Sequence, residues 1–136
     1  MAIQHVNPEG LLSMPDAFTQ VVTAAAGRLV FVAGQGAYDA DRKLVGPGDY
    51  YEQTKQAFRN LRAALAAVGA APEHVVSSTM YVKDLHPEAL MAFVRGMDEA
   101  LDGKPFPSNA STLVGVKSLA YPEMLVEVSA IAVLPG

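Results

Sequence analysis

Glu127 lies between Val126 and Val128 in the run Met124 to Val133, which is otherwise apolar and β-rich. A buried carboxylate is costly unless something satisfies it. Two readings follow: a solvated residue on an outer face, paired with a lysine, or an acid held for chemistry. Upstream, Ser111 and Thr112 open a second β-rich stretch, Ser111 to Val116. Their hydroxyls can hydrogen-bond a ligand or a water, and are equally ordinary as strand residues. Tyr81 has the same two readings, an interface hydroxyl or a common strand tyrosine.

Other chemistries are excluded by spacing. Gly34-Gln35-Gly36 begins a G-x-G-x-x-G pattern, but Asp39 stands at the third glycine and a polar loop follows, so no dinucleotide site is expected. His5, His74 and His86 have no zinc-ligand spacing, and no metal is expected. There is no G-x-S-x-G elbow, and with no cysteine there is neither a thiolate nucleophile nor a disulfide framework.

The elements that must position these residues form one domain over 1–136. Ala2 to Val6 reads as a short edge strand before the Asn7-Pro8-Glu9-Gly10 turn. Ala17 to Ala25 and Arg28 to Ala33 read as a hairpin about Gly27, the second strand apolar on both faces. Asp49 with Glu52 has capping-box spacing, and Thr54, Ala57, Phe58, Leu61, Leu65 and Val68 follow at helical intervals to a stop at Gly69. Val75 to Lys83 is a strand, and Pro87 opens a second helix that Gly103 closes.

Two helices cover one face of a sheet. Val30, Val32, Val114, Val116, Val126 and Val128 are assigned to one face; Leu29, Phe31, Leu113, Leu125 and Ile131 are assigned to the other. An apolar face left uncovered by helices predicts a closed homo-oligomer.

Composition agrees: 51% of residues are hydrophobic and 18% charged, an apolar surplus for a soluble domain. A net charge of −4 gives no support for binding nucleic acid or an anionic membrane. Lys55, Arg59 and Arg62 lie on one stripe of the first helix, read as its solvated face. No apolar run reaches membrane-spanning length and no signal segment is evident, so a cytoplasmic protein is expected.

Taken together, VFVAGQGAYDADRKLVG, EQTKQAFRNLRAALAAVGA, VVSSTMYVKDL and NASTLVGVKSLAYPEMLVEVSAIAV resemble the Rid/YjgF superfamily from Phe18 onward. The resemblance implies an α+β, chorismate-mutase-like subunit with a mixed sheet and two helices on one face. It implies a homotrimer around a central β-barrel with small-molecule clefts between subunits. The best-known members are enamine/imine deaminases that hydrolyse 2-imino acids without metal or organic cofactor, anchoring the substrate carboxylate with an arginine.

Carried onto this chain, the resemblance places Ser111 where that arginine belongs, and no basic residue lies between Pro105 and Val116 to replace it. Phe18 takes the place of the cleft tyrosine, Val94 or Ala92 that of an asparagine, and Leu113 that of a small or thiol-bearing residue. Glu127 matches the cleft glutamate, with Ala33 and the Gly34 backbone beside it. Thr112 joins Ser111 as a hydrogen-bonding candidate.

A guanidinium replaced by a neutral hydroxyl loses charge-assisted hydrogen bonds of ~1.5–3 kcal/mol each, so 2-imino acids are expected to be poor substrates. A neutral enamine, imine or related carbonyl compound is the expected small-molecule ligand. Glu127 among Val126, Val128, Phe18 and Leu113 would have its pKa raised by desolvation and could activate a water. A non-catalytic trimer binding a small metabolite or partner through the same clefts, and ribonuclease-like activity on RNA, are the alternatives.

Overall fold

The first helix, α1 (Tyr50–Ala66), starts where Asp49 accepts the Glu52 backbone N–H at 3.0 Å. It ends short of Gly69, whose φ of 77° is the left-handed turn the sequence reserves for glycine. The computed structural model describes residues 3–135. Within it lie strands β1 (Ile3–Val6), β2 (Val21–Ala24), β3 (Gly27–Gln35), β4 (Val75–Lys83), β5 (Ala110–Val116) and β6 (Val126–Pro135), with α2 (Pro87–Glu99) between β4 and β5. The expected start of β1 at Ala2 lies outside the described residues. Among them, no helix is long and apolar enough to cross a membrane.

The main sheet runs β3-β6-β4-β5, antiparallel except for the parallel pair β4–β5. Both helices pack on one side of it. Phe58, Leu61 and Leu65 of α1 and Ala89 and Phe93 of α2 share one buried cluster with Met80, Val82, Val126 and Val128. Phe58 meets the Phe93 and Phe106 rings edge-on, at centroid distances of 5.9 and 5.0 Å. The helices cross closely at Gly96, where an added Cβ would sit 2.7 Å from the Tyr51 carbonyl oxygen.

Three expectations need correction. The stretch Ala17 to Ala25 contains only the four-residue β2, which pairs with β1 and forms a separate two-stranded sheet rather than a hairpin ladder with β3. Thr19 explains the shortening. Its N–H donates to Asn109 O at 2.8 Å and its hydroxyl meets His5 Nδ1 and Ser108, so residues 14–19 are tied to the approach to β5 instead.

The face assignment also changes. Leu113 and Leu125 pack against the helix-side core, while Val114 lies on the opposite, open face. With apolar residues at neighbouring positions of β5, composition cannot fix its parity; pairing of Met80 with Leu113 does. Finally, the open face is not uniformly apolar. Leu29 (61% exposed) and Phe31 (71% exposed) stand beside a row of hydroxyls, Thr112, Thr79 and Ser129, aligned across adjacent strands.

Candidate functional site

β3 and β6 form the first part of the site. Val32 pairs with Ala130 and Gln35 with Val128, so Ala33 and Gly34 together face Ser129 as a bulge. The Glu127 side chain lies across this bulge. A methyl group added at Gly34 would overlap its carboxylate, reaching the Cδ at 2.7 Å. Gly34 is therefore needed for space, as glycine within a strand often is where another group approaches the backbone. Gln35 Nε2 donates to Ala33 O at 3.0 Å, which satisfies the bulged carbonyl locally. The Glu127 carboxylate is half-buried, and among the described residues no cation pairs with it. The lysine partner that a merely solvated glutamate would take is thus not found.

Two amides of α1, Gln53 fully buried and Asn60 partly so, hold the chain on either side of this carboxylate. Gln53 donates to Gly46 O and Glu123 O at 3.1 and 3.2 Å and accepts from the Leu125 N–H at 2.9 Å. Asn60 donates to Gly36 O and Tyr38 O, both at 2.9 Å. The segment leaving the bulge and the segment entering β6 are thereby fixed to the same helix. Both residues lie in the EQTKQAFRNLRAALAAVGA stretch that carries the family resemblance, but no positioning role was expected of them; a glutamine that proves fully buried on α1 shows that role in the structure.

The second part lies on the helix side of the sheet, between β5, α2 and residues 14–18. Phe18, Val94, Ser111 and Leu113 line a groove of about 410 Å³, walled further by Met14 and Met97. Ser111 is the hydroxyl in a lining otherwise formed by apolar side chains. Of the two α2 candidates left open, Val94 lines this groove. Thr112 points the other way, onto the open face with Thr79, and does not share the groove with Ser111.

Within one protomer the candidates therefore fall into two sets on opposite sides of the sheet. Ala33, Gly34, Thr112 and Glu127 belong to the open side; Phe18, Val94, Ser111 and Leu113 belong to the groove. Phe18 and Leu113 do not wall Glu127 in the same chain. Among the described residues, no three His, Asp or Glu side chains come together as metal ligands.

A third cavity, about 320 Å³, is formed by Tyr38, Asp39, Arg42, Tyr121 and Glu123. Tyr38 donates to Glu123 Oε1 at 2.7 Å. Partial burial and this carboxylate push the Tyr38 phenol up to about 12. The same hydrogen bond holds the Glu123 carboxyl below the usual range.

The half-covered α+β sheet, with candidate residues on both of its sides, sets the fold class. Comparison with known proteins then identifies the group. The family profile described as Endoribonuclease L-PSP matches residues 12–134, and the chain belongs to this family, the Rid/YjgF superfamily. It is 35% identical over 114 residues to RutC family protein slr0709 of Synechocystis, covering 82% of each chain. A match of 42% over 65 residues to RutC family protein PYRAB12510 of Pyrococcus abyssi spans 48% of this chain and about half, 51%, of that protein. Among solved structures, the Rid family protein YyfB from Yersinia pestis, described as of unknown function, superposes with a TM-score of 0.86 at 35% identity. That alignment covers 98% of this chain and all of the other.

Proposed function

We infer that the chain is a Rid-like, cofactor-independent hydrolase or deaminase whose site is shared between neighbouring protomers of a homotrimer. The observation that carries this reading is the division of the candidate residues. Glu127 and the Gly34 bulge lie on one side of the sheet, and the Ser111 groove lies on the other. The reading requires the Glu127 side of one subunit to meet the groove of the next. In that cleft Glu127 takes a proton from water, the water oxygen bonds to the electrophilic carbon of a C=N group, and nitrogen is protonated. Collapse to the carbonyl then expels ammonia or an amine. Backbone N–H groups at the bulge and the Ser111 hydroxyl orient the substrate.

The groove supplies no guanidinium, so the substrate is a neutral enamine, imine or related carbonyl compound rather than a 2-imino acid. The family description does not alter this reading for RNA. Arg59 and Arg62 share Asp102 at 3.9 and 3.7 Å, and Lys55 pairs with Glu52 at 3.6 Å, so the α1 stripe is not a free basic track.

The test supplies imines in situ, from a hydrophobic amine through an amine oxidase and from an amino acid through an amino acid oxidase. Accelerated carbonyl formation with the former and little with the latter is expected. Preference for the 2-imino acid contradicts the assignment; tight binding of the neutral compound without turnover identifies a non-catalytic binder.

A further inference from the structure

The Ser111 groove continues outward. A second cavity of about 410 Å³, formed by Met14, Ala17, Val94 and Met97 with Asp16 and Asp98, shares those first four residues with the groove. The two are one trough, with residues 14–17 as one wall and α2 as the other. Its inner end is Ser111 and its outer mouth carries two carboxylates. No lysine or arginine lines either part. Arg95, the cation nearest in sequence on α2, lies 4.6 Å from the Tyr51 ring centroid and is thereby held towards α1. The wall is firmly set, because Thr19 at its end is hydrogen-bonded to Asn109 beside β5.

We propose that this trough selects a hydrophobic organic cation: an apolar chain along Met14, Val94 and Met97, with an ammonium at Asp16 and Asp98. The proposal rests on the reading of the groove as a substrate half-site and narrows that reading's neutral imine to one whose reacting C=N end is uncharged and whose far end carries an ammonium. The chemistry is complementary at each point. Thioethers adapt to a flexible alkyl chain, and the negative mouth attracts an ammonium while repelling a carboxylate. The exposed carboxylates make this selection sensitive to salt.

Calorimetric titration of the intact assembly with n-octylammonium, octanamide and octanoate tests this. The expected order is octylammonium, then octanamide, then octanoate, with at least about a tenfold gap between the charged probes at low salt. The gap should close in Asp16→Asn/Asp98→Asn and shrink at ~0.5 M salt. Both aspartates are exposed and outside the core, so the double variant folds. Octanoate binding as tightly as octylammonium, a preference that survives in the double variant, or failure of all three probes to bind overturns the proposal.

The same titration with Glu127→Gln separates it from the hydrolytic reading. Ammonium selection retained there, with no imine hydrolysis by the unsubstituted protein, leaves the trough standing and removes the hydrolase. Imine hydrolysis without charge selection does the reverse.

Discussion

Glu127 lies over Gly34, so in the proposed hydrolase the two residues are expected to fail together but for different reasons. Glu127→Gln keeps the shape and removes the base; kcat for imine hydrolysis should fall about 10²–10⁴-fold, the usual worth of a general base. Unchanged turnover removes Glu127 from the mechanism. Gly34→Ala keeps the base but displaces the carboxylate from the bulge, and a comparable loss of kcat is expected with the assembly intact. Residue type marked Glu127 in the sequence as an acid in an apolar strand. The role of Gly34 as space for that acid was not legible, because it depends on a cross-strand approach created by the bulge.

Tyr38 offers an independent check at the same scale. Its raised pKa means the folded protein holds the phenol proton more tightly than the unfolded chain. The stability from this is fully present below the ordinary tyrosine pKa and is lost as pH rises from there to about 12. Glu123 has the opposite sign: its lowered pKa gives stability present above the ordinary carboxylate range and lost in acid. Burial also raises the Tyr50 phenol, so ultraviolet titration of phenolate should show late absorbance that decreases, without vanishing, in Tyr38→Phe and shifts down in Glu123→Gln. A late component unaffected by both changes would show that the pair is not formed.

At the scale of elements, capping and periodicity made both helices legible: Asp49 and Pro87 start them, and the apolar intervals give the buried stripe. Pairing was less legible. β2 has the composition of a hairpin arm but is drawn to β1, and the parity of β5 is set by β4 rather than by its own residues.

Close contacts between elements are likewise absent from composition, and Gly96 is the clearest case. Gly96→Ala would push a methyl into the Tyr51 carbonyl and the Thr54 side chain, and should destabilise the fold by about 1–3 kcal/mol in denaturant titration, despite the better helix propensity of alanine. A gain in stability would show that the helices can part freely. Gln53→Leu leaves the Glu123 carbonyl and the Leu125 N–H, both partly buried, without their partner and should cost about 1–3 kcal/mol; a neutral effect would show that water replaces the amide.

At the scale of the whole molecule, the proposed homotrimer would account for both exposed Leu29 and Phe31 on the open face and candidate residues divided between two sides of the sheet. The apolar surplus in the sequence pointed to a covered face. The sequence alone could not show that Ser111 and Thr112, adjacent in the chain, serve different sides of the sheet. Light scattering on the eluting protein should give the mass of three chains, and a dilute, stable monomer would contradict the shared site.

The most direct test uses the natural lack of cysteine. A Glu127→Cys/Leu113→Cys double variant, treated with a short bismaleimide, should give covalent dimers and trimers on a denaturing gel, with neither single variant doing so. Uncrosslinked chains from an intact assembly, or linkage confined within single chains, would contradict a site built from opposite sides of neighbouring sheets.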